Sequence, residues 1–234
     1  MKNKTTKHIV LLPAAIATVA LFSLAAVFPA IFAQNGGNSL QQLSDNKTSI
    51  TKSTISNETD FRNAMRDLWV DHIVYTRQFI VDTAGDLASL NDTTNRLLKN
   101  QEDIGSAIKP YYGEEAGSQL NELLKQHILI AADLVNAAKA GNKSSVADAD
   151  QRWSTNADNI AAFLAEANPN WTKEELTNML HDHLNVTRAE AVARLQGNYA
   201  ADIEAFDNVH EQAMHMADVL SNGIIAQFPQ RFED

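Results

Sequence analysis

The sequence predicts an all-α fold, an up-and-down bundle of four long helices plus one or two shorter ones. Three observations point there. From about Asp60 onward the apolar residues recur at helical spacings of three, four and seven. Strand-like alternation is absent. The chain has only 9 Gly and 5 Pro while Ala and Leu are abundant, which favours helix over sheet.

The first helix is expected to present Phe61, Met65, Leu68, Trp69, Tyr75, Thr76 and Phe79, and to loosen near Gly85. A short helix through Leu97, Leu98, Ile104 and Ile108 closes at Lys109-Pro110-Tyr111-Tyr112-Gly113, because Pro disfavours helix at its predecessor and Gly supplies a turn. The next, about Glu114 to Ala140, stops at Gly141-Asn142, and the one from about Ser145 to Ala167 ends at Asn168-Pro169-Asn170. Thr172 with Glu175 three residues later reads as a capping box. Thr187 and Glu190 repeat that pattern, so a break and restart are expected before Gly197. The last helix spans about Tyr199 to Phe228.

Residues 1–33 read as targeting. Lys2, Lys4 and Lys7 precede a run from Ile9 to Ala33 without charge, long enough for a bilayer span. A cleaved signal peptide and a retained membrane anchor acting through residues 9–33 both fit; either places the remainder outside the cytoplasmic membrane, secreted or anchored to its outer face. Residues 34–58, rich in Asn, Ser, Thr, Gln and Gly, read as a flexible linker, and 59–230 as the bundle domain. Asn46, Asn57, Asn91, Asn142, Asn170 and Asn185 each begin an Asn-x-Ser/Thr acceptor sequence.

With no Cys, the chain has no disulfides, thiolate metal sites, Cys-anchored haem or cysteine nucleophile. Nineteen basic residues stand against 29 acidic ones. That balance argues against nucleic acid or an anionic membrane face as partner and suits attraction of cations.

At Asn100-Gln101-Glu102-Asp103-Ile104-Gly105, Lys109-Pro110-Tyr111-Tyr112-Gly113 and Arg194-Leu195-Gln196-Gly197-Asn198, the chain resembles a family of uncharacterised all-helical bacterial and archaeal proteins, over roughly Ala64 to Phe232. Some relatives carry automatic names such as glycosyltransferase or acetylglutamate kinase. The residues here support neither name: no Gly-rich phosphate loop follows a strand, and Asp148-Ala149-Asp150 lies mid-helix. Function therefore has to come from the residues, and an enzyme is the less favoured reading.

The histidines are the most informative of them. Helical neighbours place His72, His127, His183 and His210 on apolar stripes, one near the middle of each of four long helices, whereas His181 and His215 fall on polar faces. Mid-helix positions of antiparallel neighbours meet in one layer, where bundles build metal and cofactor sites. The expectation is that the four inward histidines bind a metal ion or small cofactor, with Asp150, Asp207 and Tyr75 supporting them from behind. Imidazole without thiolate suits Zn, Cu, Ni or Fe and does not choose among them. Non-covalent haem between two histidines is a less favoured cofactor. Two alternatives stay open: an extracytoplasmic interaction or sensory module whose buried His/Asp layer is purely structural, and catalysis without a metal.

Overall fold

A computed structural model describes residues 57–233. The expected leader, and all but the last two residues of the expected linker, lie outside them. The described residues form five α-helices and no strand: α1 (Glu58–Gly85), α2 (Leu90–Lys139), α3 (Lys143–Ala167), α4 (Lys173–Leu195) and α5 (Tyr199–Gln227), followed by a 3₁₀ turn at Pro229–Arg231. Short polar side chains start four of them. Asn57, Asn142, Thr172 and Asn198 each accept a hydrogen bond from the backbone N–H three residues on, which satisfies one of the amides a helix start leaves unpaired.

One boundary agrees with the sequence reading and one differs from it. The helices expected on either side of residues 109–113 part where expected, at Gly113 (φ 85°, ψ 172°), a conformation that favours glycine, so α2 is two helices joined at a sharp turn. Its limbs, 90–112 and 114–139, fold back on each other. They approach so closely that a Cβ on Gly105 would lie 2.6 Å from the carbonyl oxygen of Gly117. The break expected at Thr187 and Glu190 does not occur, and α4 runs through both. Both side chains are buried, and the Glu190 carboxylate binds Arg77 on α1 instead of capping its own helix.

Counting the limbs of α2 separately, six helical segments make three antiparallel hairpins: α1 with the first limb, the second limb with α3, and α4 with α5. The hairpins repeat. Ile104, Ile160 and Met216 are buried at intervals of 56 residues, as are Ile108, Leu164 and Leu220. Met65, Leu120 and Leu176 follow at 55 and 56, as do Ile73, Ile128 and Leu184. Gly85, Gly141 and Gly197 stand at the three corresponding turns at 56-residue intervals. Contacts run α1–α2–α3–α4–α5 and close from α5 back to α1, so the three repeats surround a common axis. A helical hairpin buries only one face alone; three repeats closed in a ring bury all three.

Candidate functional site

His72, His127 and His183 occupy equivalent positions in the three repeats, on α1, the second limb of α2, and α4. All are buried, at 4, 5 and 3% exposure. The His183 ring centroid lies 5.7 Å from that of His72 and 6.4 Å from that of His127. Three of the four histidines expected to converge therefore do so, one from each repeat.

His210 does not. It is exposed, because α5 turns Val209, Ala213 and Met216 inward. The stripe that suggested otherwise included Ile203, which is itself 58% exposed, and Phe206, which stacks under the Arg77 guanidinium at 4.6 Å. The residue α5 contributes to the layer is Gln212. The expected supporting residues are also elsewhere. Asp207 is exposed, Asp150 pairs with Arg188 at 2.5 Å, and Tyr75 packs under Arg96, whose guanidinium carbon is 4.4 Å from the ring centroid. His181 bonds Asp158 at 2.8 Å near the surface, and His215 is exposed.

Side-chain amides set two of the ring tautomers. Each ring nitrogen Nδ1 meets an amide 29 residues further along, in the partner helix of its own hairpin. Asn156 donates through Nδ2 to the Leu123 carbonyl, so its Oδ1 is the atom facing His127, and His127 Nδ1–H donates to it at 2.8 Å. Gln212 likewise donates to the Met179 carbonyl, so His183 Nδ1–H donates to Gln212 Oε1 at 2.9 Å. The first repeat differs. Gln101 Nε2 donates to Leu97 O and Asn100 Oδ1, which turns the amide nitrogen towards His72, at 3.3 Å from Nδ1. Those two bonds use both amide hydrogens, so Gln101 does not fix the His72 tautomer.

The opposite nitrogens follow from this. His127 Nε2 accepts a hydrogen bond from Trp153 Nε1 at 3.0 Å. His183 Nε2 carries an uncommitted lone pair, since its proton is on Nδ1. Burial holds all three rings neutral: it lowers His72 well below the ordinary imidazole value, reinforced by the two neighbouring rings, lowers His127 to about 3, and lowers His183 despite its bond to Gln212. A metal needs an imidazole lone pair aimed at it from each ligand. Here the His127 lone pair is already taken by Trp153, and no group of three His, Asp or Glu among the described residues is arranged to hold a metal ion. Gln101 and Trp153 have only Ala157 and Ala213, or Leu97 and Val209, at the matching positions of the other repeats. The layer is thus satisfied differently in each repeat, as a hydrogen-bonded seam would be rather than a symmetric cage.

One turn beyond the histidines, towards the end carrying the 139–143 and 195–199 connections, the axis opens into a cleft of about 250 Å³. Its walls are almost wholly apolar: Phe79 and Ile80 from α1, Leu97, Ile128, Ala131, Leu134 and Val135 from α2, Val146 and Trp153 from α3, Ala191 and Leu195 from α4. Small side chains make the room, since Ala131, Ala138, Ala147 and Ala191 line it where larger residues would meet. Exposed Lys143, Ala147 and Val192 stand at the mouth, beside the Asp150–Arg188 pair. No motif announces this cleft; only the repeat shows that these alanines face one axis. Comparison of the chain with protein-family models, with curated proteins and with solved structures found no match.

Proposed function

We propose that this chain is a binding bundle, taking a small, largely apolar molecule into the axial cleft, with the histidine layer as the rigid floor support beneath it. The single observation that carries the reading is the cleft: an engineered apolar cavity of about 150 Å³ already admits benzene, and this one is larger and reaches the surface. Cores pack to near-crystalline density, so a void of this size has a cost that a ligand would offset. The Lys-led apolar leader supports placing this activity outside the cytoplasmic membrane.

Naphthalene titrated against the full chain and followed by its fluorescence tests the reading. Saturable binding at one molecule per chain is expected. Ala191 lines the cleft, so Ala191→Phe is expected to fill part of that space, leaving the variant folded and its affinity lower by at least roughly tenfold. Affinity unchanged by Ala191→Phe would remove the cleft from consideration.

A further inference from the structure

We propose that the molecule held in the cleft is neutral, apolar along most of its length, and carries a hydroxyl or carbonyl oxygen at its inner end, received by the hydroxyls of Thr76 and Thr187. This rests on the cleft reading above and adds the chemistry of the ligand to it.

Thr76 and Thr187 lie one helical turn beyond His72 and His183 on α1 and α4, and both line the cleft. The matching position of the third repeat is Ala131, which lines it too. The floor of the cleft is therefore lined by two threonines and an alanine arranged around the axis one turn from the imidazoles. Thr187 is 5% exposed, and the Oγ1 atoms of both threonines are buried without a hydrogen-bond partner. A helical threonine ordinarily has a ready partner in the carbonyl four residues back. Thr94 and Thr155 use it, donating to Leu90 O at 2.7 Å and to Gln151 O at 3.0 Å. Thr76 and Thr187 do not. Rotation about χ1, which exchanges a threonine's hydroxyl for its methyl, turns these two unspent hydroxyls to the closed end of the cleft, where an oxygen entering with a ligand meets them.

The charge of that ligand follows from what surrounds the floor. The three rings beneath it are neutral and already meet side-chain amides on Nδ1. The Arg188 guanidinium is committed to Asp150 Oδ1 through Nε and Nη2 at 3.0 and 2.5 Å, and to Asn185 Oδ1 at 2.9 Å. Lys143 stands exposed at the mouth. A carboxylate at the floor would have no cation to meet and would be desolvated; an ammonium would have no anion. A hydroxyl or carbonyl loses far less on entry and finds two groups able both to donate and to accept.

Four probes of one size separate the possibilities: naphthalene, 2-naphthol, 2-acetylnaphthalene and 2-naphthoate, each titrated by fluorescence into the full chain, its Thr76→Val/Thr187→Val double variant and Ala191→Phe. The two neutral oxygen-bearing probes are expected to bind roughly tenfold more tightly than naphthalene. In the valine variant that preference should vanish while naphthalene itself binds as well as before, which also shows that the cleft is intact. Naphthoate binding as tightly as naphthol would overturn the inference in favour of anion capture at Lys143. A preference that survives the valine substitutions would overturn it as well. Equal binding of all four probes, abolished by Ala191→Phe, would leave the cleft standing and the oxygen preference refuted. Failure of every probe to bind would refute both.

Discussion

Acidification from pH 7 to about pH 4.5 is expected to destabilise the bundle steeply, by up to about 5 kcal/mol. As the pH falls through the ordinary imidazole value near ~6.5, the unfolded chain takes up three protons, on His72, His127 and His183, that the buried rings refuse. A group whose folded pKa is depressed stabilises the fold above its unfolded value, and that contribution is lost as the pH drops. Glu190 works in the opposite direction. Burial raises it to about 7 despite the Arg77 ion pair, so the folded state holds a proton there that the unfolded state has already released. At most three protons against one leaves two, a slope of no more than ~2.7 kcal/mol per pH unit. About two such units remove the whole stability of a domain at the lower end of the ordinary range, ~5 kcal/mol. Urea unfolding at half-unit intervals between pH 7 and 5 should show this slope, and His183→Gln should reduce it by about one proton. A stability that stays flat between pH 6.5 and 5 would mean that the rings are not held neutral.

Glu190→Gln is expected to stabilise the protein by ~3 kcal/mol at pH 8 and to change little at pH 4.5. Glu190 is 1% exposed, and its Oε2 has no partner, while Oε1 receives Arg77 at 2.7 Å. The matching positions of the other repeats are Phe79 and Leu134, so the acid stands where the fold otherwise buries hydrocarbon. Below the ordinary carboxyl value both states hold the proton and the site costs nothing extra. Between that value and about 7 the two states diverge, and above about 7 the ionised form carries the full penalty. Glutamine keeps the volume and removes the charge. Arg77 remains paired with Asp202 at 3.0 Å, and Arg194 reaches the same carboxylate at 3.2 Å, so the substitution strands no cation. Thermal unfolding of both proteins at pH 8 and pH 4.5 decides it. A destabilised variant at pH 8 would show that the ion pair outweighs the desolvation.

The helices and most of their ends were legible in the sequence because periodicity and capping are local. The Thr172 cap forms as read, with Thr172 Oγ1 accepting from the Glu175 amide at 3.2 Å, while the Glu175 carboxylate accepts from the Thr172 hydroxyl at 2.7 Å. The same pattern at Thr187 and Glu190 misled, because burial and a partner on another helix decided the outcome there. His72, His127 and His183 were legible for the same local reason. His210 was not, since a stripe bounded by Ile203 and Phe206 looks apolar whether or not the bundle covers it. The amides were overlooked although they lie on the same stripes: Asn156 follows Trp153 by three and precedes Ile160 by four, and Gln212 sits likewise between Val209 and Met216. Self-similarity at 56 residues aligns Asn100, Asn156 and Gln212, whereas the alanines that open the cleft match larger residues in the other repeats, Ala131 with Thr187 and Ala191 with Val135. The tautomers lay beyond sequence, because they depend on which carbonyl each amide reaches.

The most direct measurement is a crystal structure of the full chain grown with 2-acetylnaphthalene. The account predicts one molecule on the axis between Thr76, Phe79, Trp153 and Ala191, its carbonyl oxygen within hydrogen-bond distance of a threonine hydroxyl, and the three imidazoles still against Gln101, Asn156 and Gln212. A molecule seated instead at the opposite end of the axis, among Trp69, Leu124 and Trp171, or one that enters only by breaking the Trp153–His127 hydrogen bond, would contradict it.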